Sequence, residues 1–209
     1  MNNLQNSLPD GVKFRPDYFD ASAQIALVEA IRNIVKAAPL FTPIMPKTGV
    51  AMSVRMTNCG SLGWVTDKTN GYRYQATHPV TGGPWPQIPE LLLELWKAVA
   101  DFAAPPEACL VNFYDETAKM GLHQDRDEKD FAAPVVSVSL GDEARFRIGD
   151  VTRGGKTQSV TLRSGDVLVM GGASRLAFHG IDKIYPGTST LLPKGGRINL
   201  TLRRVNPAV

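Results

Sequence analysis

The chain has 209 residues, 43% apolar and 21% charged, with a formal net charge of +3. That length suits one compact domain with a real core, the composition excludes a disordered or collagen-like chain, and two cysteines, Cys59 and Cys109, are too few for a disulfide framework. The mild basic excess permits an anionic partner without demanding one. No apolar run reaches membrane-spanning length. The polar Met1–Asp10 stretch lacks a secretory pattern, so a cytoplasmic protein with two reduced, half-buried thiols is expected.

In chain order, residues 1–18 read as an irregular arm. A helix follows, capped by Asp20 or Ser22, with Ile25, Val28, Ile31, Val35 and Ala38 at helical spacing and Pro39 as its stop. Residues 41–79 mix Gly, Asn, Thr, methionines and aromatics and predict short strands with long loops. Pro84-Trp85-Pro86 punctuates the chain. A second helix is predicted from Pro89 to Phe102, with Leu92, Leu95, Trp96 and Val99 on its apolar face.

From Ala108 onward the pattern is β. Candidate strands are Cys109–Tyr114, Pro134–Leu140, Ala144–Ile148, Ser159–Leu162, Asp166–Met170 and Arg197–Val205. Two early helices followed by many short strands predict a mainly β, α+β fold, with helices on one face of a sandwich or open barrel. No repeat or domain boundary is evident.

The last strand is the most informative segment. Alternate residues of a strand share a face, so Ile198, Leu200 and Leu202 lie on one side, and Arg197, Asn199, Thr201 and Arg203 on the other. The polar face can point to water. If it lines a pocket instead, confined guanidinium groups need anions, and their forks match carboxylates. A small dicarboxylate would suit that face. Asn112 and Tyr114 share a face of their own strand and could reach the same ligand.

His123-Gln124-Asp125 sets an imidazole and a carboxylate two residues apart, on one side of an extended segment. With His179 they compose the two-histidine, one-carboxylate triad of non-haem iron(II) oxygenases. An H-x-D tripeptide alone arises often by chance. Here two of only three histidines fit the triad, while His78 has no partner pattern. A metal joined to a dicarboxylate slot suggests a 2-oxo acid chelating iron.

Several stretches together resemble the bacterial AlkB family: Met52-Ser53-Val54, Met56-Thr57-Asn58-Cys59-Gly60, Leu62-Gly63-Trp64, Leu122-His123-Gln124-Asp125, Pro134 to Gly141, Gly165-Asp166-Val167, Ser174-Arg175-Leu176, His179-Gly180 and the Arg197-x-Asn199-x-Thr201-x-Arg203 strand. The resemblance runs from about Pro39 to Arg203. It implies an iron(II)- and 2-oxoglutarate-dependent dioxygenase of one domain. A double-stranded β-helix (jelly-roll) core would span residues 108–205, under a nucleotide-recognition lid at about 40–86.

By match to the family's motifs, His123, Asp125 and His179 would bind iron(II) and form the catalytic centre. Arg197 and Arg203 would neutralise the two carboxylates of 2-oxoglutarate, with Asn112, Tyr114 and Asn199 completing that site. Trp64 and Tyr72 would contact the damaged nucleotide, with Tyr74 the alternative to Tyr72. Asp127 and Arg153 match further substrate-side positions. Asp127 also reads as part of a solvated charge run, Arg126 to Asp130. Met170 and the loop 66–71 depart from the family pattern.

The implied reaction uses O2 and 2-oxoglutarate to demethylate N1-methyladenine or N3-methylcytosine in single- or double-stranded DNA or in RNA, with a monomer as the default and no membrane partner. The alternatives are an oxygenase of the same chemistry acting on tRNA, protein or a small molecule, and a nucleic-acid-binding module with an inactive metal site.

Overall fold

A computed structural model describes residues 8–208. Elements follow in the order β1 (Val12–Arg15), α1 (Ala21–Ala37), β2 (Arg55–Gly60), β3 (Gly63–Asp67), β4 (Gly71–Gln75), α2 (Glu90–Val99), β5 (Ala108–Tyr114), β6 (Met120–His123), β7 (Val135–Gly141), β8 (Glu143–Ile148), β9 (Gln158–Leu162), β10 (Val167–Met170), β11 (His179–Tyr185) and β12 (Arg197–Arg203). They build a six-stranded sheet, β1-β10-β7-β12-β5-β2, a four-stranded sheet, β6-β11-β8-β9, and the separate hairpin β3-β4. The pairings are antiparallel. This is the jelly-roll arrangement, with two sheets enclosing a core.

Period-two alternation divides the six-stranded sheet. Its outer face carries Cys109, Val111, Val136, Val138, Leu140, Ile198, Leu200 and Leu202, packed against Leu27, Val28, Ile31 and Ile34 of α1 and Leu92, Leu95 and Trp96 of α2. Its inner face meets the four-stranded sheet through Leu110, Tyr114, Val135, Leu168 and Met170 against Phe146, Ile148, Leu162 and Ile181. β12 sits at the centre, between β5 and β7, in unbroken register with both.

The structure corrects several sequence expectations. Within the supposed irregular arm, Val12–Arg15 pairs with Met170–Val167 as an edge strand; Met1–Ser7 lie outside the described residues. Asp20 is the cap of α1, its carboxylate accepting from the Ala23 amide at 2.8 Å. Ile25 faces solvent, and Leu27 and Ile34 take the buried positions. α2 begins one residue after Pro89, which caps it, and ends at Val99. The two thiols are fully buried rather than half-buried and are free. His78 is a structural histidine: it meets the Pro39 carbonyl at 2.7 Å and accepts from the Val80 and Thr81 amides. No helix among the described residues is long and apolar enough to cross a membrane.

Candidate active site

Between the sheets lies a cavity of about 490 Å³. β6 and β11 run side by side along it, with His123 and His179 as register partners that both line the cavity. Their rings stand 4.5 Å apart, centroid to centroid. Asp125, just past β6, brings its carboxylate to both: His123 Nε2 is 3.6 Å from Oδ1 and His179 Nε2 is 3.7 Å from Oδ2. The close approach depends on Gly180, because a Cβ there would meet the Met120 carbonyl at 2.4 Å.

The donor set fits a divalent metal. Each imidazole Nδ1 lies 2.9 Å from a backbone carbonyl, Gly121 for His123 and Ala177 for His179. A carbonyl only accepts, so both Nδ1 atoms carry the proton and both Nε2 lone pairs point at the shared space. Asp125 Oδ2 is buried with no hydrogen-bond partner. One potential ligand atom from each of the three residues lies within 4.8 Å of the others. Iron(II) bound there would provide open coordination positions for a chelating acid and O2.

Burial, with His123 nearby, drives the His179 pKa from 6.5 down to about 4. In the metal-free protein the folded chain therefore resists protonation, while the unfolded chain accepts it near 6.5. Stability is expected to hold above that value and to fall as pH drops from about 6.5 towards 4. Asp125 acts in the same direction at lower pH. Burial raises its pKa, but Arg203, His179 and His123 together hold it well below the carboxylate range. Thermal melts of metal-free protein across that window check the sign; a midpoint that rises on acidification contradicts it.

The polar face of β12 points into the same cavity. Arg197, Asn199, Thr201 and Arg203 line it, with Asn112 and Tyr114 from β5. Tyr114 lies opposite Arg197, and Asn112 opposite Asn199. Asn199 is fixed by donating to Ser137 Oγ at 2.7 Å and to the Val138 carbonyl at 3.1 Å.

The two arginines differ. Arg203 donates to Asp125 Oδ1 at 2.8 Å and sits 3.6 Å from Glu128. Burial would depress its pKa, but Asp125, Tyr74 and Glu128 more than offset this and raise it. Arg197 is fully buried, and its bonds go to neutral acceptors, Ser139 Oγ at 2.7 Å and the Asp142 carbonyl at 3.5 Å. Burial lowers its pKa to about 10.

Among the described residues, the buried side-chain atoms without a partner are Asn112 Oδ1, Asp125 Oδ2, Arg197 Nε and Arg203 Nε. All four belong to residues lining this cavity. Each such atom costs about 1–3 kcal/mol when left unpaired, so their concentration in one cavity marks a ligand site. A metal answers the carboxylate, and a small dianion answers the guanidiniums.

The hairpin β3-β4 stands at the mouth. Asn58 clamps both backbone groups of Trp64 at 3.0 Å each. Trp64 stacks on Tyr72, with centroids 5.6 Å apart and planes inclined by 21°. Its Nε1 donates to Asp127 Oδ2 at 2.7 Å. Asp127 is thus engaged rather than merely solvated. Trp64, Tyr72, Asp127 and Arg153 all line the cavity, and the Arg153 guanidinium lies 5.2 Å over the Phe178 ring. Met170 forms part of the apolar wall.

Sequence reasoning missed Gln124, Glu128 and Arg175 as parts of the site. The Gln124 amide donates to the Val151 and Leu176 carbonyls and pins the β8–β9 loop to the segment before His179. Glu128, in the supposed solvated run, is 4% exposed and paired with buried Arg175 at 3.1 Å. The signal for Arg175 lay only in its matched motif.

Comparison with known proteins agrees with this geometry. The family model of the 2OG-Fe(II) oxygenase superfamily matches residues 11–203. An alpha-ketoglutarate-dependent dioxygenase AlkB homolog of Caulobacter vibrioides is 55% identical over 193 residues, covering 92% of this chain and 87% of the relative. The alpha-ketoglutarate-dependent dioxygenase AlkB of Escherichia coli is 42% identical over 190 residues, covering 89% and 86%. The solved structure of OsALKBH1 superposes with a TM-score of 0.79 at 33% identity, covering 94% of this chain and 98% of that one. With its metal triad, guanidinium-lined slot and jelly-roll core, the chain belongs to the AlkB family of 2-oxoglutarate- and iron(II)-dependent dioxygenases.

Proposed function

We propose that this enzyme demethylates alkylated bases in nucleic acid, with N1-methyladenine and N3-methylcytosine as substrates. The observation that carries the reading is the stacked Trp64–Tyr72 pair at the mouth of the cavity holding the metal triad. His123, Asp125 and His179 hold the iron; Arg197 and Arg203 take the carboxylates of 2-oxoglutarate, and Asn112, Tyr114 and Asn199 complete the slot. Bound iron supplies oxidation of the N-methyl carbon with O2 and 2-oxoglutarate, yielding succinate, carbon dioxide and a hydroxymethyl group that leaves as formaldehyde. The protein's part is to orient and shield the reactants.

Methylation at these nitrogens makes the base cationic. The Trp64 face attracts a cation, and the Asp127 carboxylate adds charge attraction close by. Because Asp127 also holds the indole, the stacking plate and the charge arrive in fixed relation. Lys47, Arg126 and Arg153 on the cavity wall would meet flanking phosphates, so affinity should fall with salt. Residues 40–86 act as the recognition lid over the catalytic core at 108–205. The enzyme works as a cytoplasmic monomer on DNA, and on RNA where the base can be presented. Single strands should react faster than duplex, since no pairing is lost on extruding the base.

Methylated oligonucleotides incubated with iron(II) and 2-oxoglutarate should lose the mass of one CH2 unit, the methyl being replaced by hydrogen, and release stoichiometric formaldehyde. Turnover of peptides or small molecules, with oligonucleotides untouched, would refute the base-directed reading. Absence of any O2 consumption would refute the enzyme.

A further inference from the structure

Two tyrosines share one face of β4, and they do different things. Tyr72 is exposed and lines the cavity mouth. The Tyr74 hydroxyl is turned inward, donating to Glu128 Oε1 and accepting from Arg203 Nη1 at 3.1 Å. Trp64 and Tyr74 are register partners on the hairpin. Two consecutive carboxylates therefore take two opposed side chains: Asp127 holds Trp64 and Glu128 holds Tyr74. The same short segment begins at Asp125, in the metal triad.

Arg203 spans the gap, with Nη2 on Asp125 and Nη1 on Tyr74. Arg175 braces the arrangement from behind. It reaches Glu128 Oε2 at 3.1 Å, the Asp125 carbonyl at 2.7 Å and the Ala133 carbonyl at 2.8 Å. A guanidinium is a rigid planar fork, so its bonding to a carboxylate depends on how its plane is set. One edge of the Arg203 plane is set by the hairpin.

We propose that Tyr74 is a positioning residue that couples the β3-β4 hairpin to the cosubstrate through Arg203. Docking of the hairpin orients Arg203 for 2-oxoglutarate, and 2-oxoglutarate on Arg203 holds the hairpin, with its Trp64 plate, in place. Linkage requires the two effects to be equal. The inference rests on the assignment of Arg203 to 2-oxoglutarate.

The test is calorimetric titration of 2-oxoglutarate into Mn(II)-loaded protein, paired with amide hydrogen exchange of residues 63–75. In the native enzyme 2-oxoglutarate should slow exchange along the hairpin. Tyr74→Phe should bind it about tenfold more weakly, within the usual range of coupling between sites, and should no longer slow the hairpin. Its KM for 2-oxoglutarate should rise with little change in kcat. Tyr72→Phe, on the same hairpin, should keep both the 2-oxoglutarate affinity and the slowing. Native affinity and native slowing in Tyr74→Phe would overturn the coupling. Should Tyr74→Phe fold poorly, Glu128→Gln is read the same way. Arg203→Met separates the two layers. If it leaves 2-oxoglutarate affinity intact, the cosubstrate assignment fails; if it loses affinity while Tyr74→Phe does not, only the coupling fails.

Discussion

Asp125→Ala lowers kcat/KM by at least about a thousandfold, equivalent to about 4 kcal/mol of transition-state stabilisation. The carboxylate is one of three metal ligands and the only anionic one, so two neutral imidazoles remain to hold a dication. The same change removes the acceptor that meets Arg203 at 2.8 Å in a buried setting. Breaking such a pair by deleting one partner costs about 3–5 kcal/mol. The variant should therefore fold, melt well below the native metal-free protein, and gain little when iron(II) or Mn(II) is added. Circular dichroism melts with and without metal, run beside a formaldehyde assay, read all three effects. Native turnover in Asp125→Ala would remove the metal assignment.

The parts of this site that were legible in the sequence are those where a period is physically enforced. β12 has helices against one face and a cavity against the other, so alternation separates Ile198, Leu200 and Leu202 from Arg197, Asn199, Thr201 and Arg203 without error. The triad was legible because histidine is scarce here. What stayed hidden lacked a period. Glu128 lies in an irregular segment, where the neighbouring charges Asp127 and Lys129 stay exposed while it turns inward. β1 is four residues long at a sheet edge, and only its pairing with β10 makes it a strand. β11 contains a bulge between Ile181 and Lys183 and alternates poorly, so it is absent from the strands expected from the sequence although His179 opens it. α1 places Ile25 on its exposed face among Ser22, Glu29, Arg32 and Lys36, so an apolar residue at helical spacing favoured Ile25 over Leu27 and Ile34. Alternation could not separate Tyr72 from Tyr74 either, because both stand on one face. Their depth under the hairpin decides their roles.

Arg197→Met is expected to stabilise the cosubstrate-free enzyme and to abolish 2-oxoglutarate binding at ordinary concentrations. The side chain is fully buried, its acceptors are uncharged, its Nε has no partner, and burial has pulled its pKa down to about 10. Replacing even a buried ion pair by apolar side chains of similar volume is often neutral or stabilising by about 1–4 kcal/mol, and Arg197 carries the desolvation cost without a carboxylate partner. That gain corresponds to a rise in melting temperature of roughly 2–4 °C per kcal/mol for a chain of this size. The loss on the other side is larger. Charge-assisted bonds to a carboxylate contribute about 1.5–3 kcal/mol each, so the Kd for 2-oxoglutarate should rise at least about a hundredfold. Arg203→Met should show the opposite sign in the melt, because it removes the guanidinium that meets the buried Asp125 carboxylate at 2.8 Å, while Glu128 keeps Arg175. Melting both variants without ligand and titrating each with 2-oxoglutarate checks the pair. A destabilised Arg197→Met that still binds 2-oxoglutarate with native affinity would show that this guanidinium serves the fold rather than the cosubstrate.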